Sequence, residues 1–146
     1  MKATDVIIYT DMDGTALTDW SLGPVVPERN LARIRSFVSA GGLFSVASGR
    51  QAPGILQLFP GVAFHAPLVC GNGSVIYDPA EQQVLRKTCL PPDYKCACVS
   101  YFLTHPEVWI VAADETRIWQ IVSGDPARDD QLNDWPRPRM SIEDFL

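Results

Sequence analysis

The sequence of 146 residues lacks any long apolar run, any internal repeat and any excess of basic residues. Its first apolar run, Val6 to Tyr9, is only a few residues long and lies between Asp5 and Asp11, which argues against a signal peptide or a membrane-spanning helix. The formal net charge of -5 argues against nucleic-acid binding, because a phosphate backbone requires a basic protein face. We therefore expect a soluble protein that binds neither nucleic acid nor membrane, with the cytoplasm as its default location.

The chain also has few cysteines and histidines, and neither set shows the spacing of a metal site. Cysteines stand at positions 70, 89, 96 and 98; Cys96 and Cys98 fall in a predicted helix, where side chains two apart point to different sides. Free, partly buried thiols are therefore expected. The two histidines, His65 and His105, stand alone beside prolines that favour loops, so we assign neither a catalytic role.

Two carboxylates follow the first predicted strand. The run Val6 to Tyr9 predicts a parallel strand buried on both faces, and ligands collect at the carboxyl ends of such strands. Asp11 and Asp13 stand at that end, and Gly14 favours a turn that brings backbone N–H groups towards a ligand. Because close carboxylates repel each other, we expect a divalent cation such as Mg²⁺ to bind them. An acidic turn that only caps the next segment is the alternative.

A second polar motif follows the second predicted strand. Pro27 to Ala40 has the apolar spacing of an amphipathic helix, and residues 43–47 predict a short strand that ends at Ser48-Gly49-Arg50. A strand–helix–strand unit makes the two strands parallel, so Ser48 should emerge at the same sheet edge as the two aspartates. Phosphate binding is favoured there by a hydroxyl, a glycine and a helix N-terminus. The alternative for Arg50 is a cation on the protein surface.

Three motifs, in this order, resemble the haloacid dehalogenase superfamily and, within it, the Cof-type, sugar-phosphatase-like branch with an inserted α/β cap. The motifs are Asp11-Met12-Asp13-Gly14-Thr15, Ser48-Gly49-Arg50 and Cys70-Gly71-Asn72-Gly73-Ser74-Val75-Ile76-Tyr77-Asp78. The resemblance implies an α/β fold with a partial Rossmann-like parallel sheet core over residues 1–80. Residues 81–146 match only by a cap-like pattern and would form a partial α/β cap.

The resemblance also implies an activity, the Mg²⁺-dependent hydrolysis of a small phosphomonoester such as a sugar phosphate through an aspartyl-phosphate. In that reaction Asp11 is the nucleophile, Asp13 is the general acid and base, and both hold the Mg²⁺. The residues implied in phosphate binding are Gly14, Thr15, Ser48, Gly49, Arg50 and Asn72. Asn72-Gly73 is also an ordinary hairpin signal between two apolar runs, so a structural role is its alternative.

The third and fourth motifs of the family, a lysine and a Gly-Asp segment with a further acid, are not evident. The segment Gly124 to Asp130 has the fourth-motif spacing, which makes Asp125 and Asp129 candidate metal ligands, with a solvated acidic loop as the alternative. Lys87 and Lys95 are the only nearby candidates for the lysine. The rival function is therefore a catalytically impaired module that binds phosphate ligands or a partner without turnover.

The second half predicts a small α/β module. Residues 84–85 and those that follow favour a strand, residues 91–103 a helix, and residues 108–113 and 116–122 a hairpin. Ser141 begins a short helix just before the sequence stops, which suggests a chain that ends within a larger fold. A homodimer that covers the sheet edge left open is a further expectation, because an apolar strand edge is a liability in water.

Overall fold

A computed structural model describes residues 2–17, 24–131 and 137–146 of the chain. The chain forms two compact units, Met1–Thr88 and Cys89–Leu146, and both contain helices and strands, so the predicted α/β class is confirmed. The boundary predicted after residue 80 lies in the turn of a hairpin that belongs to the first unit. Within the described ranges no helix is long and apolar enough to cross a membrane, and the cytoplasmic location stays a prediction.

The first unit is built on parallel strands joined by a helix. Its elements are β1 (Ile7–Thr10), α1 (Glu28–Ser39), β2 (Leu43–Val46), α2 (Ala52–Leu58), β3 (Leu68–Cys70), β4 (Val75–Asp78) and β5 (Gln83–Lys87). β1 and β2 pair in parallel across α1, and a bridge between Ala47 and Val69 places β3 beside the end of β2. β3, β4 and β5 then form an antiparallel meander. The predicted strand–helix–strand unit is therefore confirmed.

The amino-acid pattern explains where α1 begins and ends. Leu31 is buried, and Ile34 and Val38, at helical spacing from it, pack against the same core. Pro27 immediately precedes the helix, where its missing N–H costs no helical hydrogen bond. Gly41 follows the helix at φ +88°, a conformation that favours glycine and stops helical growth. The chain is thereby turned back into β2.

An aromatic cluster anchors the segment that follows β2. The rings of Phe44, Phe59 and Phe64 pack with their centroids 5.8 to 6.0 Å apart. Phe44 lies on β2 and Phe59 ends α2, and both are almost fully buried. Burial of each such ring contributes about 1.5–3 kcal/mol, so the cluster packs the C-terminal end of α2 and the segment after it against β2.

β1 corrects one prediction, because it is not buried on both faces. Ile7, Ile8 and Tyr9 are 49%, 41% and 44% exposed. Within the described part of the chain β2 is the only strand paired with β1, so the other edge of β1 lies open. A groove of about 420 Å³ beside it is lined by residues that include Ile8, Thr10, Ile34, Phe37 and Phe44. The apolar run of β1 is typical of a strand that other elements cover. The homodimer expected at this edge stays a prediction.

The second unit contains the predicted helix and hairpin. Its elements are α3 (Pro92–Thr104), β6 (Ile110–Ala113), β7 (Ile118–Val122), α4 (Pro126–Asp129), β8 (Arg139–Ser141) and α5 (Ile142–Phe145). β6 and β7 pair antiparallel, and β8 joins β7 in parallel. Ser141 Oγ accepts a hydrogen bond from the Asp144 N–H at 3.0 Å, so Ser141 is the N-cap that the sequence predicts.

Arg128 closes the C-terminal end of α3. Its Nη2 donates to the carbonyl oxygens of Phe102, His105 and Val108 at 2.5, 2.8 and 2.9 Å. Its guanidinium also lies 3.8 Å from the ring centroid of Phe102. The last carbonyl groups of a helix have no partner within the helix, so this one cation supplies a donor that the helix end needs.

All four cysteines are free, as predicted, but they differ sharply in accessibility. Cys70 is buried on β3, whereas Cys89, Cys96 and Cys98 are exposed. Burial raises the pKa of the Cys70 thiol to about 11, so very little reactive thiolate forms near neutral pH.

Iodoacetamide at pH 8 is therefore expected to alkylate Cys89, Cys96 and Cys98 in the native chain and to leave Cys70 unmodified. Intact-mass measurement should show three additions, and a fourth should appear only after the chain is unfolded in denaturant. A Cys70→Ala variant is the control, because its native and denatured forms should both take three. Modification of Cys70 at the rate of the exposed thiols would contradict its burial.

Candidate active site

Asp11 and Asp13 directly follow β1, as predicted, and both are exposed. Met12 between them is fully buried and anchors the segment to the core. This alternation of exposed and buried side chains is what an extended segment at the end of a strand produces. Asp11 Oδ2 accepts a hydrogen bond from Thr15 Oγ1 at 3.2 Å. The Thr15 hydroxyl therefore orients the Asp11 carboxylate.

The segment after Asp13 is a tight turn. Gly14 has φ +84°, a conformation that favours glycine, and its N–H donates to the Leu17 carbonyl at 3.2 Å. The N–H groups of Thr15 and Leu17 both donate to the Met12 carbonyl, at 3.1 and 2.8 Å. The N–H groups of Gly14 and Thr15, predicted to approach a ligand, are thus bound within the turn.

The Ser48 motif lies at the carboxyl end of β2, next to β3. Ser48 is buried; its N–H donates to the Val69 carbonyl at 2.9 Å, and its own carbonyl accepts from the Asn72 N–H at 3.1 Å. Ser48 Oγ accepts from the Arg50 N–H at 3.2 Å. A Cβ at Gly49 would lie 3.0 Å from Asn72 Oδ1, so the glycine permits this close approach. The Ser48 motif and the segment Cys70 to Asp78 are therefore in direct contact.

Asn72 lies in the turn that its hairpin signal predicts, and its role in phosphate binding stays a prediction. It lies in the short turn Gly71–Gly73 that leads from β3 into β4, with φ +54°, which Asn tolerates better than most residues. Gly71 N–H donates to the Arg50 carbonyl at 3.1 Å, which ties this turn to the Ser48 motif. The hairpin signal is thus correct, and the same turn brings the Asn72 side chain to the predicted site.

Arg50 joins the first motif to the second. Its Nη2 lies 2.7 Å from Asp13 Oδ1 and its Nε lies 3.2 Å from Asp13 Oδ2, so the pair is bidentate. The two side chains are 19% and 41% exposed, so Arg50 is not simply a surface cation. Sequence reasoning missed this pairing. The signal available in the sequence was the opposite charge of Asp13 and Arg50, which stand just beyond the ends of two neighbouring parallel strands.

The two candidate metal ligands of the second unit serve its own fold. Asp125 caps α4, where its Oδ1 accepts from the Ala127 N–H at 3.0 Å. Asp129 is 5% exposed and accepts from the Ser123 N–H, the Ser123 hydroxyl and the Gly124 N–H, each at 2.9 Å. Residues 124–130 therefore form a hydrogen-bonded turn in which Asp129 is buried, and the alternative of a solvated acidic loop is also wrong for Asp129.

No other acidic cluster replaces them. Among the residues that the structure describes, no group of three or more His, Cys, Asp or Glu side chains is arranged to hold a metal ion. Lys95, one of the two lysines considered, donates from Nζ to the Phe145 carbonyl at 2.9 Å within the second unit. Within the described residues, the Mg²⁺ site therefore stays a prediction that involves Asp11 and Asp13.

A scan against family models matches residues 8–144 to the haloacid dehalogenase-like hydrolases. Among curated proteins, the chain is 31% identical over 121 residues to the 5-amino-6-(5-phospho-D-ribitylamino)uracil phosphatase YbjI of Escherichia coli (strain K12). That similarity covers 83% of this chain and 43% of the relative.

Solved structures show the same fold. A haloacid dehalogenase-like hydrolase from Bacteroides thetaiotaomicron matches 97% of this chain and 53% of its own length, with a TM-score of 0.69 and 22% identity. The subclass IIB sugar phosphatase BT4131 matches 96% of this chain and 54% of its own length, with a TM-score of 0.69 and 16% identity. The chain spans about half the length of these relatives. The resemblance found in the three motifs is confirmed, and the chain belongs to the haloacid dehalogenase-like hydrolase family.

Proposed function

We propose that this chain carries the catalytic edge of a phosphomonoester hydrolase that works with Mg²⁺. One observation carries the proposal: Asp11, Asp13, Ser48 and Arg50 gather where the parallel strands β1 and β2 end. Two carboxylates, a buried hydroxyl and a guanidinium are the groups that phosphoryl transfer through a covalent intermediate requires. The phosphatase name of the relative at 31% identity supports the same reaction class.

The role proposed for each acid follows the family resemblance. The Asp11 carboxylate, oriented by Thr15, attacks phosphorus and forms an acyl phosphate. As the phosphorus–oxygen bond to the leaving group breaks, Asp13 gives its proton to that oxygen. A water molecule then attacks the phosphoryl group, Asp13 takes a proton from it, and the Asp11 carboxylate is regenerated together with inorganic phosphate.

The same edge suits a hard divalent cation. Mg²⁺ commonly uses one or two protein oxygens and completes its octahedron with water and substrate phosphate. The exposed Asp11 carboxylate and the backbone carbonyl of Asp13 would hold it, because the Asp13 carboxylate is bound by Arg50. When bound, the ion would neutralise phosphate charge next to the anionic nucleophile.

For the substrate we propose a small phosphorylated metabolite that carries a sugar or polyol. The YbjI relative is named for a phosphoribityl compound and BT4131 is called a sugar phosphatase, so both act on phosphate esters of that kind. We also propose that the second unit, Cys89–Leu146, is part of the cap domain of such an enzyme.

Hydrolysis of p-nitrophenyl phosphate by the 146-residue chain tests the function. We expect release of p-nitrophenol with Mg²⁺, loss of that release with EDTA, and recovery when Mg²⁺ is restored. Hydrolysis that EDTA leaves unchanged would contradict the role of the metal.

The rival function, a module that binds phosphate without turnover, is favoured by the absence of a third metal carboxylate among the described residues. It would be supported by calorimetric binding of inorganic phosphate together with no hydrolysis under any metal condition. Absence of both binding and hydrolysis would contradict the enzyme and the module alike.

A further inference from the structure

Without a ligand, the proposed general acid is fully engaged by a cation. Arg50 donates to both carboxylate oxygens of Asp13, from Nε and from Nη2. The backbone of Arg50 is itself fixed on both sides, because its N–H donates to Ser48 Oγ and its carbonyl accepts from the Gly71 N–H. The guanidinium is thus held at the edge where the phosphate is proposed to bind, with its Nε and Nη2 donors directed to Asp13.

We infer that Arg50 is a positioning residue that exchanges partners, holding Asp13 while the site is empty and turning to a phosphate group when one binds. A phosphate presents two oxygens to a guanidinium in the same bidentate way as a carboxylate and carries more negative charge. Binding therefore transfers the Arg50 donors to the ligand and frees the Asp13 carboxylate, which takes up a proton from solvent and can then give it to the leaving group. This inference rests on the proposed phosphate site but not on turnover.

Partner exchange has a thermodynamic consequence, which is that Asp13 and phosphate compete for Arg50. The Asp13→Asn variant removes the competing carboxylate and should strengthen phosphate binding. A simple loss of negative charge would also strengthen it, so the coupling to Arg50 has to be isolated. Asp11→Asn makes the same charge change at the same edge, and the contact shown for the Asp11 carboxylate is to Thr15.

Calorimetric titration of inorganic phosphate in EDTA tests the exchange on the full chain. The variants are Asp13→Asn, Asp11→Asn and Arg50→Gln, with each aspartate change repeated in the Arg50→Gln background. We expect Asp13→Asn to raise the affinity about tenfold more when Arg50 is present than when it is absent, as contacting residues couple. The effect of Asp11→Asn should be the same in both backgrounds. Circular dichroism should show that every variant is folded.

A second measurement reports on the ion pair directly. The ¹⁵N resonance of Arg50 Nε should move in the wild-type chain on addition of phosphate and should already be moved, without phosphate, in Asp13→Asn. Arg50→Lys keeps the charge but cannot bind two oxygens with one fork, so it should restore phosphate binding without restoring the full coupling.

An Asp13→Asn effect of equal size with and without Arg50, or phosphate binding that leaves the Arg50 signal unmoved, would overturn the inference. Failure of every variant to bind phosphate would overturn it too. Strong coupling in a chain that hydrolyses nothing would support the exchange while the hydrolase proposal fails, so the two failures are distinguishable.

Discussion

Replacement of Asp11 with asparagine is expected to reduce hydrolysis of p-nitrophenyl phosphate by at least about 1,000-fold, as loss of a nucleophile does in other covalent enzymes. An amide does not attack phosphorus at neutral pH, and no acyl phosphate can form on it. The change is nearly isosteric, and an asparagine oxygen can still accept the hydrogen bond that Thr15 donates to Asp11. The loss should therefore reflect chemistry rather than a disrupted turn.

The matched control is Asp5→Asn, which removes one negative charge at another exposed aspartate of the first unit. It should hydrolyse the substrate like the wild-type chain, and both variants should unfold at similar temperatures. Residual activity of Asp11→Asn within tenfold of the wild type would show that a different group, or a contaminating phosphatase, carries the hydrolysis.

Replacement of Asp129 with alanine is expected to lower the free energy of unfolding of the second unit by about 2–4 kcal/mol. The carboxylate is buried and accepts three hydrogen bonds from Ser123 and Gly124. Alanine would leave those part-buried donors without their carboxylate partner. Beside it, the buried Gln120 donates to the Asp129 carbonyl at 2.8 Å, so the disturbance extends into β7.

Urea unfolding of the full chain, followed by circular dichroism and tryptophan fluorescence, measures this loss. Asp125→Ala is the control, because Asp125 is an exposed aspartate of the same turn whose cap bond is typically worth about 1 kcal/mol. Equal losses of unfolding free energy for the two variants would mean that the buried Asp129 carboxylate stabilises this unit no more than the exposed Asp125 cap does. Asp129→Asn should fall between them, since it keeps one acceptor oxygen.

Much of the site could be predicted because its parts are local. The strand–helix–strand order follows from apolar spacing, and parallel strands necessarily end at one edge, which brings Asp13 near Ser48. The close approach of Asn72 to Gly49 needed more than local pattern. This approach depends on the position of β3, because a hairpin signal alone does not predict which loop the turn Gly71–Gly73 will contact.

Two errors have a common physical origin. The residues of β1 and Asp129 were judged by their own chemistry, whereas their environment is made by other segments of the chain. Ile7 and Ile8 are exposed because burial needs neighbours on both sides of a strand. Asp129 is not a metal ligand because Ser123 and Gly124 offer three donors to the same two oxygens.

The amino-acid sequence by itself determined the fold class, the parallel β1–α1–β2 unit and the family, because these depend on short-range periodicity and on residues that stand at the ends of strands. Three further features follow from the folded structure: Arg50 binds the Asp13 carboxylate, Asp129 is buried in its turn, and one edge of β1 is open. Each of these depends on contacts between residues that are far apart in the sequence. Pairing, burial and exposure follow from such contacts and not from any one segment.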